Sequence, residues 1–199
     1  IGLGVMGANL ALNFERNGYV VAVYNRKEGE GQDVVSRFME ESGKNKNFIP
    51  ADTIRELVGK VSRPRKIVLM VTAGDPVDEL IDQLLPHLSL GDIVIDGGNS
   101  DFRDTDRRVR FMESRGIWFV GCGISGGAEG ALNGASIMPG GSVEAWPFIK
   151  DMLQSIAAKL EDVLVVCGSV RVVPDILLKW FTMELSMEIC SSSPKRMRY

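Results

Sequence analysis

Ile1-Gly2-Leu3-Gly4-Val5-Met6-Gly7 is a Gly-x-Gly-x-x-Gly run, and the residues around it read as the junction of a strand and a helix. Glycines at these spacings let a strand turn tightly, bring backbone close to a pyrophosphate and let the following helix pack on its sheet. A helix starting near Met6 would aim its free N–H groups and its positive dipole end at the phosphates. Glycine triplets also occur in ordinary structural turns, so the neighbouring residues decide the reading.

Ala8-Asn9-Leu10-Ala11-Leu12-Asn13-Phe14 reads as an amphipathic helix closed by Asn17-Gly18, and Tyr19-Val20-Val21-Ala22-Val23-Tyr24 as a buried strand. A dinucleotide fold reads the adenosine ribose at the end of that strand. An Asp or Glu there accepts from the 2′-hydroxyl of NAD, whereas Asn25-Arg26-Lys27 offers an amide and two cations. A guanidinium fork suits a 2′-phosphate that a carboxylate would repel, so the expected cofactor is NADP rather than NAD. A solvated basic turn is the competing reading of the same residues.

Farther along, Gly29 to Gly43 is helix-compatible with a stripe of Val34, Val35, Phe38 and Met39, and Asn45 to Asn47 reads as loop. Asp52-Thr53 can cap a helix through Val61, Lys66 to Val71 is an apolar strand, and Asp75-Pro76 opens a helix to about Leu85. Gly91 to Asp96 is the next strand, Asp101 to Arg115 a charged helix, Ile117 to Val120 a strand, and Val143 to about Leu160 a helix. Strands alternating with helices predict an α/β fold with a doubly wound parallel sheet, which binds ligands at the carboxyl ends of its strands. Gly121-Cys122-Gly123-Ile124-Ser125-Gly126-Gly127-Ala128-Glu129-Gly130 suits backbone that closely approaches an anion, although a flexible connector has a similar composition.

Composition narrows the function classes. With 199 residues and 45% hydrophobic content the chain holds one sizeable domain and the start of another, and a net charge of -3 carries no nucleic-acid or membrane footprint. The apolar runs are strand-length, and because the first residues already read as a nucleotide-binding turn, no signal peptide is expected. Cys122, Cys167 and Cys190 are widely spaced and fit a reducing cytosol, so a cytoplasmic location is expected. His87 is the single histidine, which excludes a His-based triad or a multi-His zinc site in this chain alone.

Four motifs together resemble one family: Gly2 to Asn9, Asn25-Arg26, Ile95-Asp96-Gly97-Gly98-Asn99-Ser100 followed by Arg103-Asp104-Thr105, and Ile124-Ser125-Gly126-Gly127 through Met138-Pro139-Gly140-Gly141. They are similar to 6-phosphogluconate dehydrogenase, the decarboxylating NADP enzyme of the pentose phosphate pathway, over residues 1 to about 160. Short β-hydroxyacid dehydrogenases share the first motif and a Ser-Gly-Gly segment but not the Asp-Gly-Gly-Asn-Ser with Arg-Asp-Thr. The resemblance implies that Gly2, Leu3, Gly4, Val5, Met6 and Gly7 hold the pyrophosphate, that Asn25, Arg26 and Lys27 hold the 2′-phosphate end, and that Val71, Thr72 and Ala73 border the nicotinamide. It further implies that Asn99 touches both cofactor and substrate, and that Ser125, Gly126 and Gly127 bind a sugar-acid phosphate. Lys27 stands where the family often has Thr, and Ala128 where a Glu is usual.

The family's catalytic lysine and glutamate lie on a helix beyond residue 160, where this chain reads Pro174-Asp175-Ile176-Leu177-Leu178-Lys179-Trp180-Phe181-Thr182-Met183-Glu184-Leu185-Ser186-Met187-Glu188. No catalytic residue transfers onto that stretch. Regrouping the codons by one base turns Trp180-Phe181 into a forced Val and Met183-Glu184 and Met187-Glu188 into forced Gly, in register with the family helix. The expectation is therefore a frameshift shortly after Ala158, with 1–160 a Rossmann-like NADP-binding domain and 161–199 an aberrant tail in place of the start of the helical domain. The resemblance implies a homodimer formed mainly through that helical domain, so these residues by themselves do not imply a family-type dimer and leave the oligomeric state open. Because Ile1 directly precedes the first glycine, the strand feeding the turn is expected to be cut short and the chain to be aggregation-prone or molten.

Overall fold

Ile93-Val94-Ile95-Asp96 forms a strand buried at all four positions in the middle of a parallel ladder, as a run with three consecutive β-branched residues favours. The computed structural model describes residues 1–26, 33–160 and 163–164. In chain order the elements are α1 (Val5–Arg16), β1 (Val21–Val23), α2 (Val34–Glu41), β2 (Phe48–Pro50), α3 (Ile54–Lys60), β3 (Lys66–Leu69) and α4 (Asp75–Leu84). There follow β4 (Ile93–Asp96), α5 (Phe102–Glu113), β5 (Trp118–Ser125), α6 (Gly127–Asn133), β6 (Ser136–Gly141), α7 (Trp146–Ile156), and a short antiparallel pair β7 (Lys159–Leu160) and β8 (Val163–Leu164). The helix caps form: the side chains of Asp33, Thr53 and Asp101 accept from Val35, Glu56 and Arg103 N–H.

The sheet is an α/β Rossmann-like arrangement. β3, β4 and β5 run parallel, β1 pairs parallel with β2, and each parallel connection passes through a helix. Side chains alternate across it. Ile93 and Ile95 pack with Leu10, Phe14, Ile149 and Leu153, while Val94 packs on the opposite face with Leu80, Ile81, Val109 and Met112. Helices α1 and α7 thus cover one face and α4 and α5 the other, as the doubly wound reading requires.

Four details depart from the sequence expectations. Phe48–Pro50 is a strand, a segment that the sequence reading left without an element; three residues are too few to show a period, and only pairing with Val21–Val23 defines them. The sheet is not wholly parallel, because β6 pairs antiparallel with β5 through Gly121↔Gly140 and Gly123↔Met138. Consequently the glycine-rich stretch is neither open loop nor connector over Gly121 to Ser125: it is strand, and Gly127–Asn133 is helix. The last helix ends at Ile156 instead of about Leu160, and a bridge from Ala157 to Ala135 takes over the chain. Lys27, most of the stretch 161–199 and the regrouped residues lie outside the described residues.

Between β1 and β3 the sheet opens. A cavity of about 560 Å³ is lined by Leu10, Ala11 and Phe14 of α1, by Leu57 and Val61, and by the two strands themselves. Ile1 and Gly2 span one end: the Ile1 nitrogen donates to Val68 O at 2.8 Å, Met70 N–H donates to Ile1 O at 2.8 Å, and Gly2 N–H donates to Tyr24 O at 3.0 Å.

Candidate functional site

The glycine run makes the tight turn, and gives α1 the close approach, that its spacing suggests. Gly2 has φ +91°, and a Cβ there would strike the Met70 carbonyl. A Cβ on Gly7 would fall on the Gly2 carbonyl oxygen, so α1 can start against this turn only without a side chain at that position. Gly4 is the N-cap of α1, has no side-chain cap, and has nothing within 4 Å of a built Cβ. The first helical hydrogen bond runs from Ala8 N–H to Gly4 O, so the N–H groups of Val5, Met6 and Gly7 precede the ladder. An open backbone surface with aligned donors therefore faces outward beside Gly4.

Asn25, just past β1, accepts from Leu3 N–H at 2.8 Å through Oδ1 and donates to Arg26 O at 2.9 Å. It shapes the glycine loop from the side. Arg26 lies beyond it with a largely exposed guanidinium 3.8 Å from the Glu79 carboxylate.

Three further loops meet at the same carboxyl edge. Thr72 and Ala73 are exposed after β3, with Val71 half-buried. After β4, a Cβ on Gly98 would strike Val71 O and one on Gly97 would approach the Met70 sulfur, so these two glycines allow the loop after β4 to lie against the exit of β3. Asn99 adopts φ +58°, and its side chain pairs with both backbone groups of Ile124, accepting from N–H at 3.0 Å and donating to the carbonyl at 3.4 Å. Ser125, Gly126 and Gly127 follow at the end of β5, the two glycines exposed. Arg26, Thr72, Asn99 and Gly126 thus follow the carboxyl ends of β1, β3, β4 and β5, and Gly4 precedes α1. Among the described residues no group of His, Cys, Asp and Glu is arranged to hold a metal ion, and no helix is long and apolar enough to cross a membrane.

Sequence reasoning missed the groups that hold this edge from beneath. Arg108 of α5 is 1% exposed and donates to Asp78, Gly74 O and Ser100, with Asp96 at 3.5 Å. One signal was present: Thr105, Arg108, Val109 and Met112 occupy the buried stripe of α5, where an arginine has no solvent-facing explanation. Hydrogen bonds from Arg108 and Arg107 hold the Asp78 carboxyl well below the usual carboxylate range. A lowered folded value means that the stabilisation is complete above the unfolded value of 3.8 and is lost as pH falls below it. Urea denaturation of the wild type and Asp78→Asn should accordingly show a stability gap at neutral pH that narrows below about pH 4. A gap independent of pH would mean that the pair does not govern the titration.

The profile of the family described as the NAD binding domain of 6-phosphogluconate dehydrogenase matches residues 1–168. The chain belongs to the 6-phosphogluconate dehydrogenase family. It is 54% identical over 162 residues to the decarboxylating 6-phosphogluconate dehydrogenase of Treponema pallidum, covering 81% of this chain and 32% of that protein. The Candida albicans enzyme is 54% identical over 159 residues, covering 80% of this chain and 30% of that protein. Among solved structures, Plasmodium falciparum 6-phosphogluconate dehydrogenase, studied in its apo form and in complex with its cofactor NADP+ and its substrate 6-phosphogluconate, superimposes with a TM-score of 0.78 at 36% identity. That match covers 84% of this chain and 35% of the other. The chain therefore spans about a third of the length of the family members it matches.

Proposed function

We propose that residues 1 to about 160 are the NADP-binding domain of a decarboxylating 6-phosphogluconate dehydrogenase. The observation that carries this reading is the opening beside Gly4, where aligned N–H groups of α1 meet a loop shaped by Asn25 and flanked by Arg26. The glycine cradle fits a dinucleotide: a built Cβ meets nothing at Gly4 but is excluded at Gly2 and Gly7, so the turn is tight where the fold needs it and open where a ligand would lie.

In this reading Gly2, Leu3, Gly4, Val5, Met6 and Gly7 hold the pyrophosphate, and Asn25 and Arg26 the ribose-phosphate end, with Lys27 assigned there by sequence alone. Val71, Thr72 and Ala73 border the nicotinamide, Asn99 reaches both ligands, and Ser125, Gly126 and Gly127 bind the sugar acid through a hydroxyl and backbone N–H groups. A nicotinamide held by these residues would supply the hydride acceptor for oxidation of a substrate hydroxyl. The residues of this domain orient the two ligands; the lysine base and glutamate acid of the family have no counterpart in residues 1–160, and residues 161–199 are assigned to an altered tail. The corresponding compartment is the cytosol, and the reaction class is oxidative decarboxylation to ribulose 5-phosphate.

Cofactor choice tests the reading directly. Arg26→Glu should weaken NADP by roughly 10- to 100-fold, the cost of one charge-assisted contact to phosphate, while leaving NAD binding nearly unchanged. Equal NADP affinity in the two proteins by calorimetry would assign Arg26 to its Glu79 pair and to solvent. Turnover separates the second reading, a non-catalytic NADP-binding fragment, from a competent enzyme: the fragment binds cofactor and makes no NADPH from 6-phosphogluconate. Sequencing the coding DNA around Leu160 for one inserted or deleted base tests the altered-tail assignment.

A further inference from the structure

Arg108 belongs to α5, yet its guanidinium serves helix α4, the loop after β3 that leads into it, and the loop after β4. Nε and Nη2 grip both oxygens of Asp78 at 3.0 and 2.8 Å, Nη2 also donates to the Gly74 carbonyl at 2.9 Å, and Nη1 donates to Ser100 Oγ at 3.1 Å. Ser100 Oγ in turn donates to Asp96 at 2.6 Å, and the other Asp96 oxygen accepts from Gly98 N–H at 2.9 Å. Asn99 is held between these two anchored neighbours at φ +58°, a left-handed conformation that asparagine adopts more readily than other non-glycine residues. Gly74 closes the loop after β3, and Ser100 lies in the loop after β4. One buried, planar donor set therefore fixes the spacing between Val71–Gly74 and Gly98–Ser100. No described hydrogen bond of Arg108 reaches Gly2–Gly7 or Asn25–Arg26, the residues at the other end of the edge.

We infer that Arg108 is a positioning residue for the nicotinamide and substrate end of the site, acting through Gly74 and through Ser100, and that it leaves the adenosine end unaffected. The inference rests on the proposed cofactor reading. A lysine at 108 keeps the charge but presents one point donor in place of a rigid fork, so it cannot serve Asp78, Gly74 and Ser100 together. Alanine at 100 removes only the hydroxyl between Arg108 and Asp96.

The experiment compares wild type, Arg108→Lys and Ser100→Ala with two probes. Adenosine 2′,5′-bisphosphate reports the adenosine end alone, and the fluorescence of bound NADPH, read at saturation, reports how firmly the nicotinamide is held. Expected is a bisphosphate affinity within about twofold of wild type, as for independent sites. NADPH affinity should fall about tenfold, equivalent to the loss of one charge-assisted hydrogen bond, with loss of most of the bound-state fluorescence gain. If both probes weaken by the same factor, or the fluorescence gain is unchanged, Arg108 only supports the fold and the inference is overturned. Circular dichroism identifies a variant that does not fold; should Arg108→Lys be one, Ser100→Ala decides by the same criteria. Wild type that binds neither probe sinks the cofactor reading itself, and this inference with it.

Discussion

Replacing Gly7 with alanine is expected to abolish measurable NADP binding, a loss of at least about 100-fold or roughly 3 kcal/mol. The added methyl would fall on the Gly2 carbonyl oxygen, with Met70 Cβ 3.1 Å away, so neither partner can yield without moving a strand end. Relief requires α1 to draw back from the turn, which displaces the donors of Val5 and Met6 from a pyrophosphate held by backbone alone. Gly4→Ala separates the two duties of the motif. Nothing lies within 4 Å of a Cβ there and its φ of -63° suits alanine, so the melting temperature should hold while affinity falls. Calorimetric titration paired with thermal unfolding reads both effects. Undiminished binding by Gly7→Ala, or by Gly4→Ala, would remove the turn from the cofactor site.

The second large effect concerns the opening between β1 and β3. A polypeptide carrying about seven Val/Ile-rich residues ahead of Ile1 is expected to be more stable by about 5 to 10 kcal/mol, from burial of three or four aliphatic side chains at roughly 1.5 to 3 kcal/mol each. The cavity of about 560 Å³ has α1 side chains Leu10 and Phe14 and, from α3, Leu57 along its walls, so an inserted strand would meet apolar side chains from both helices. Alternation places the backbone groups of even-numbered residues of β1 and β3 toward the opening, as the bonds of Tyr24, Val68 and Met70 to Gly2 and Ile1 show, and the same ladder continues through Ala22 and Lys66. Thermal unfolding by circular dichroism should show a melting temperature higher by at least about 10 °C in the extended protein, and an equal rise from an extension of alternating Lys and Glu would refute burial as the cause.

The chemistry carried within a few residues of chain was legible in the sequence. Gly2 requires positive φ, Thr53 and Asp101 cap the helices that begin after them, Pro76 starts a helix, and the apolar runs at Lys66–Leu69 and Ile93–Asp96 are strands because no polar face interrupts them. Each of these rests on φ preference, capping or periodicity, interactions that reach no farther than about a helical turn. From them the sequence by itself determined the α/β class and the place of the tight glycine turn between strand and helix. Tertiary structure alone decided the rest. Phe48–Pro50 is a strand because Val21–Val23 lies beside it, and Ser136–Gly141 is a strand through its antiparallel pairing with β5 from Val120↔Gly141 to Ser125↔Ser136. Arg108 joins the site only because folding brings Asp78, thirty positions away, and Gly74, thirty-four away, onto one guanidinium. A buried cation is tolerated only where its partners converge on it, and that convergence belongs to the packing of α4, α5 and β4, not to any local stretch of the chain.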